Sequence, residues 1–241
     1  MRNAEFVMRN TLLSISLLLS LSAYSQQKEE GVGFSTLSPT PRQEEAVVDD
    51  PYAGLTMEQR FSKAADYMED DKWQAAKDVY DNILHLSPEN FRALYFRAYA
   101  NERLFHYGLA RADYDAILKK EPENYHALTG RAILNEKDSH HTEALDDANL
   151  LVEQYPDSVQ AWVVRAGIEE KQGHLSLAEF DYLQAYQLDS SKREYILQAV
   201  DLQLRQKKKE DAKRTLDKLV KAGAPKNSLK YYYKRINLRN P

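Results

Sequence analysis

The 241-residue chain contains no cysteine. A disulfide framework, a thiolate metal site and a cysteine nucleophile are therefore excluded, and so is a lipid anchor built on cysteine. Glycine and proline are sparse, at 8 residues each, which leaves long stretches free to form helices. No Gly-rich phosphate loop, H-E-x-x-H or G-x-S-x-G pattern is present, so no enzyme chemistry and no cofactor is expected. No N-x-S/T glycosylation acceptor is present. The six histidines are scattered. Only His140 and His141, with Glu143, form a cluster, and they fall at the start of an expected helix. That placement favours a solvated helix end over a metal site. The adjacent acids Asp146–Asp147 and Glu169–Glu170 point apart on a helix. Each pair reads as one exposed and one paired carboxylate.

Long hydrophobic runs are also missing. The longest, Thr11–Leu21, is well short of the roughly 20 residues that span a bilayer. It follows Arg2 and Arg9 and precedes Ala23-Tyr24-Ser25, which has small residues at −3 and −1 of a cleavage site before Gln26. Residues 1–25 thus read as a signal peptide, with Met8 an alternative start. Export without cysteine suits a bacterial periplasm or cell envelope, with the mature chain soluble and not a lipoprotein. Residues 26–55 hold Gly31, Gly33, Pro39, Pro41, Pro51 and Gly54 among polar residues and read as a flexible linker.

The remaining chain repeats itself. Pro88, Pro122 and Pro156 are spaced by 34, and blocks at 57–90, 91–124, 125–158, 159–192 and 193–226 align in phase. Position 20 is Ala76, Ala110, Ala144, Ala178 and Ala212. Position 8 is Ala64, Ala98, Ala132 and Ala166, then Val200. Position 24 is Tyr80, Tyr114, Ala148, Tyr182 and Leu216. Two helices approach closely only where small side chains meet, and larger apolar residues fill the space to the next hairpin. Asn90, Asn124 and Ser158 stand where helix caps belong. Thr56 with Gln59 makes a capping box. A lone hairpin cannot bury its apolar faces, so neighbours must stack.

This pattern resembles the tetratricopeptide repeat family over residues 57–226. The resemblance implies an all-α, right-handed solenoid of about five helix-turn-helix hairpins. Residues 227–241 fit a C-terminal capping helix starting at Asn227 or Ser228, with Leu229, Tyr232, Tyr233 and Ile236 covering the last hairpin. The first block departs from the pattern at Arg60, the fourth at Ser190 and the fifth at Ala224.

A charge pattern runs through the three central blocks. Position 7 is Arg97, Arg131 and Arg165, and position 23 is Asp113, Asp147 and Asp181. This co-occurrence predicts an ion pair inside each hairpin, since a partly buried Arg needs a carboxylate. The resemblance also implies a concave groove lined by the first helix of each repeat. Its matching positions include Phe61, Arg92, Tyr95, Tyr99, Glu102, Thr129, Ile133, Glu136, Val163 and Glu170, and their expected ligand is a protein or peptide. Positions 5 and 9 lack the Lys/Asn pairing with which chaperone adaptors of this family hold a C-terminal carboxylate.

Charge is unevenly distributed. From Lys192 onward 15 Lys/Arg face 5 Asp/Glu, a net of +10, which leaves residues 26–191 at −15. The basic end suits an anionic envelope surface or an acidic partner. Nucleic acid is not expected of an exported chain.

Overall fold

The computed structural model describes residues 50–237. The chain divides into two units, 1–51 and 52–241, and all the helices described below belong to the second. The expected leader and nearly all of the expected linker lie outside the described residues. Eleven α-helices and one 3-10 turn make up the described part, with no strand among them. The helices are α1 (Met57–Glu69), α2 (Trp73–Leu86), α3 (Phe91–Arg103), α4 (Tyr107–Lys120), α5 (Tyr125–Lys137), α6 (His141–Gln154), α7 (Val159–Lys171), α8 (Leu175–Leu188), α9 (Arg193–Arg205), α10 (Lys209–Lys221) and α11 (Lys230–Asn237). Helices pack in sequence order, each on the next, and the first helices of neighbouring repeats also touch, α3 on α5 and α5 on α7. The result is an all-α solenoid of stacked hairpins.

Every first helix starts at position 1 of its block and every second helix at position 17, and the starts have local causes. The Thr56 hydroxyl accepts from the Gln59 N–H while the Gln59 side chain accepts from the Thr56 N–H, a complete capping box. Asn90, Asn124 and Ser158 accept from the N–H groups of Ala93, Ala127 and Ala161. The fifth repeat has Lys192 at this place and no side-chain cap. Within each hairpin the chain reverses through a left-handed residue at position 15. It is glycine only once, at Gly173, and otherwise Asp71, Phe105, Ser139 and Lys207.

The alanines of positions 8 and 20 are fully buried, as is Val200. Close helix contact at these points leaves no room for longer side chains. Tyr80 and Tyr114 at position 24 lie in the main core. Tyr80 stacks on Phe96 of the next repeat, with centroids 5.8 Å apart. Tyr114 instead meets Gly130, where an added Cβ would lie 2.5 Å from the ring Cζ. The ring is buried and cannot swing aside. Gly130→Ala should therefore cost a net 1–2 kcal/mol, roughly, because overpacking outweighs the better helix propensity of alanine. Urea unfolding measures this.

Three details depart from the expectations. The folded unit begins at Tyr52 rather than at residue 56: its ring packs on the main core, and its carbonyl accepts from the Leu55 N–H at 3.1 Å. The final helix is entered through the 3-10 turn Lys226–Leu229 after Pro225, not from an Asn227 or Ser228 cap. Leu229 is buried there, with Tyr232, Tyr233 and Ile236 packed on the last hairpin. Arg60 is buried despite its charge. Its guanidinium donates to the Leu55 carbonyl and to Asn82 of α2.

Candidate functional site: the first-helix face

In each central repeat the position-7 arginine forms a two-pronged bond with the position-23 aspartate. Arg97 Nε and Nη2 reach Asp113 at 2.9 and 2.5 Å. Arg131 reaches Asp147 at 2.9 and 2.6 Å. Arg165 reaches Asp181 at 2.7 and 2.8 Å. All three aspartates are buried. Burial raises the carboxyls of Asp113 and Asp147, and the bonds from Arg97 and Arg131 offset only part of that rise.

The remaining Nη1 of each arginine faces backwards. It bonds Asp81 (2.8 Å), Asp115 (2.6 Å) and Asn149 (3.1 Å) of the preceding repeat. Each guanidinium therefore locks its own hairpin and also fastens it to its predecessor. Position 25, which supplies these acceptors, carries little signal in the sequence. Only the run Asp, Asp, Asn at the 34-residue interval marks it.

A second ladder joins the C-terminal ends of the first helices. Position 12 is Glu102, Glu136 and Glu170, and each accepts from the following repeat. Lys137 bonds Glu102, Gln172 bonds Glu136 at 2.8 Å, and Arg205 bonds Glu170. Glu136 also contacts His141 Nδ1 at 3.0 Å. Glu102 and Glu136 are buried, so these two serve as ties between repeats and are not presented to a ligand.

Phe61 and Val163 are each only 4% exposed. Phe61 lies beneath Arg92, whose guanidinium sits 3.9 Å from the ring centre. The next repeat thus covers Phe61, and it offers no open groove surface. Val163 is likewise packed into the stack. Tyr95 is part-buried against Phe96, Tyr114 and His126, and burial pushes its hydroxyl up to about 12. Arg92, Tyr99, Thr129, Ile133 and Glu170 keep partial exposure.

The structure adds a residue to that face. Trp73 opens α2, and its ring meets Tyr99 edge-on at 5.7 Å. The Arg103 guanidinium lies 4.8 Å above the Trp73 ring, with Asp71 3.9 Å from it. Part-exposed tryptophan and tyrosine and an exposed arginine thus come together from two successive repeats. Trp73 belongs to a second helix, so a reading restricted to first-helix positions passes over it.

One further expectation changes. The Glu169 carboxyl is buried, and its Oε2 has no hydrogen-bond partner, whereas Glu170 is the paired member. Burial first, and the neighbouring Asp181 second, raise Glu169 to about 7. His140 bonds Asp138 and Arg111 at the entry to α6, and His141 bonds Glu136. No group of three metal-ligating side chains occurs among the described residues.

The family model described as tetratricopeptide repeat matches residues 61–104 and 106–159. No curated protein matches the sequence. Solved structures resemble it in fold. A tetratricopeptide repeat protein from Parabacteroides merdae ATCC 43184 is 21% identical, covering 78% of this chain and 77% of that one, with a TM-score of 0.58. A fragment of MamA from Desulfovibrio magneticus RS-1 is 16% identical, covering 68% of this chain and 93% of that one, at 0.59. YrrB, described as having an unusual peptide-binding site, is 18% identical, covering 68% and 85%, at 0.53.

Proposed function

We propose, from the premise that this is a tetratricopeptide repeat protein, that it is an interaction scaffold holding a protein or peptide on its first-helix face, the concave groove of the family. The family is generally non-catalytic. The observation that carries the reading is the solvent-accessible Trp73–Tyr99–Arg103 cluster. These residue types dominate binding energy where they are rigid and well packed. The ring contacts of Trp73 with Tyr99 and Arg103 hold the three together before a ligand arrives, which lowers the ordering cost of binding.

Export to a periplasm or cell envelope is part of the proposal. It is supported by Arg2, Arg9, the Thr11–Leu21 run and the Ala23-Tyr24-Ser25 site, together with the missing cysteines. Sequencing the N-terminus of the mature protein should place Gln26 first.

The test uses peptides selected from a displayed library against the full chain. Tyr99→Ala and Arg103→Ala should each weaken binding about tenfold, roughly the 1.4 kcal/mol of a modest hot spot. Unchanged affinity in both variants would overturn the groove assignment.

A second reading rests on the basic end. Lys218, Lys221, Lys226, Lys230 and Lys234 are exposed or part-exposed, although Arg235 is tied to Asp201. An anionic envelope surface or an acidic partner fits those lysines. Binding to anionic vesicles should then fall steeply with salt, and salt-independent association would remove this reading.

A further inference from the structure

A shallow, open surface pocket of about 510 Å³ lies at the junction of the second and third repeats. Its floor is the Glu121–Asn124 turn between α4 and α5, and its walls are Tyr125, His126 and Tyr155. The rings of Tyr125 and Tyr155 stand 5.0 Å apart at 86°, forming a corner. The ring of His126 stands edge-on to Tyr125 at 5.5 Å. The corner is held from behind. The Tyr155 hydroxyl donates to the Glu123 carbonyl at 2.5 Å, and the Tyr125 hydroxyl bonds Ser158 Oγ at 3.1 Å.

The charged side chains that line this corner are both acidic, Glu121 and Glu123. Among the described residues neither Glu121 nor Glu123 has a cationic partner. Glu121 accepts only from the Asn124 amide, at 2.6 Å. The adjacent Lys120 is committed elsewhere, to Glu89 at 2.8 Å. Burial lowers the basicity of His126, so the imidazole wall is neutral at pH 7. The N-terminus of α5 adds about half a positive charge, which two carboxylates outweigh.

At the preceding junction the chain places a cation of its own over a first-helix ring. There the residue equivalent to His126 is Arg92, and its guanidinium covers the Phe61 ring at 3.9 Å. At the pocket, neutral His126 replaces the arginine over Tyr95, and the chain supplies no cation of its own among the described residues.

We propose that this pocket receives the ε-ammonium group of a lysine on a partner protein. The aromatic corner would take the methylene stem and the face of the cation. Glu121 and Glu123 would accept from the ammonium protons, which selects a primary ammonium over a quaternary one. The site is separate from the Trp73–Tyr99–Arg103 cluster. Its test uses a different ligand, so either reading can fail alone.

The probe is N-acetyl-lysine-N-methylamide, titrated into the full chain while the ring resonances of Tyr125, His126 and Tyr155 are followed by NMR. Binding in the millimolar range is expected, with shifts confined to these rings. The norleucine analogue should not bind, and the trimethylated lysine should bind at least about threefold more weakly, since it lacks donors. Tyr155→Leu should weaken the lysine probe about fivefold, for loss of one aromatic face. Glu123→Gln, at an exposed turn where folding is safe, should weaken it about threefold. Equal binding of the norleucine analogue, tighter binding of the trimethylated form, or unchanged affinity in both variants would overturn the proposal.

Discussion

Arg131→Ala should lower the unfolding free energy by about 3–5 kcal/mol, the range for removing one partner of a buried ion pair. The substitution strands the buried Asp147 carboxylate and releases Asp115 of the preceding repeat in the same step. For a domain of this size the loss corresponds to about 10 °C in Tm, readable by circular dichroism. The double variant Arg131→Met with Asp147→Leu should recover most of it, because an apolar pair leaves no unpaired charge behind. A single variant close to wild type would mean that the clamp is ornamental. An unrecovered double variant would mean that the damage lies in packing.

Glu169→Gln should do the opposite and stabilise the protein, by about 2 kcal/mol at pH 8 after allowance for solvent screening. The reason lies in the repeat. Position 11 holds Asn101, Asn135 and Gln203 in the neighbouring blocks, all buried amides. Asn135 Nδ2 faces its position-23 partner Asp147 at 3.4 Å. The fourth repeat places a carboxyl there instead, beside Asp181. Folding raises Glu169 from an ordinary carboxylate value to about 7, so the folded chain holds the proton that the unfolded chain releases. Stability contributed by this group is therefore complete below about pH 4.5 and is lost as pH rises towards 7. The glutamine variant should lose less stability over that interval and match wild type near pH 5. A variant less stable than wild type at pH 8 would contradict the assignment.

The helices are legible in the sequence because their determinants are local and recur. Alanine at two fixed positions, a proline after the second helix and a capping side chain before the first are visible within a single block. The prongs of Arg97, Arg131 and Arg165 within each repeat can be read in the same way, from residues 16 apart. Their third prong cannot, because it depends on which way the free Nη1 faces once a second hairpin has stacked. The fates of Phe61, Glu102 and Glu136 are hidden for the same reason. Each is covered or tied by a residue one repeat further on: Arg92, Lys137 and Gln172. A position's exposure in a solenoid is decided by its neighbour, and a pattern read within one block does not contain that neighbour. Trp73 escapes by its position, since it reaches the first-helix face from the start of a second helix.

Whether ligand binds on the face made by the first helices is tested most directly by amide hydrogen exchange of the full chain, with and without a saturating selected peptide. New protection is expected on α3 and α5 and at the start of α2 around Trp73, with the second helices α4, α6 and α8 unchanged. Protection confined to those second helices would contradict binding on the first-helix face.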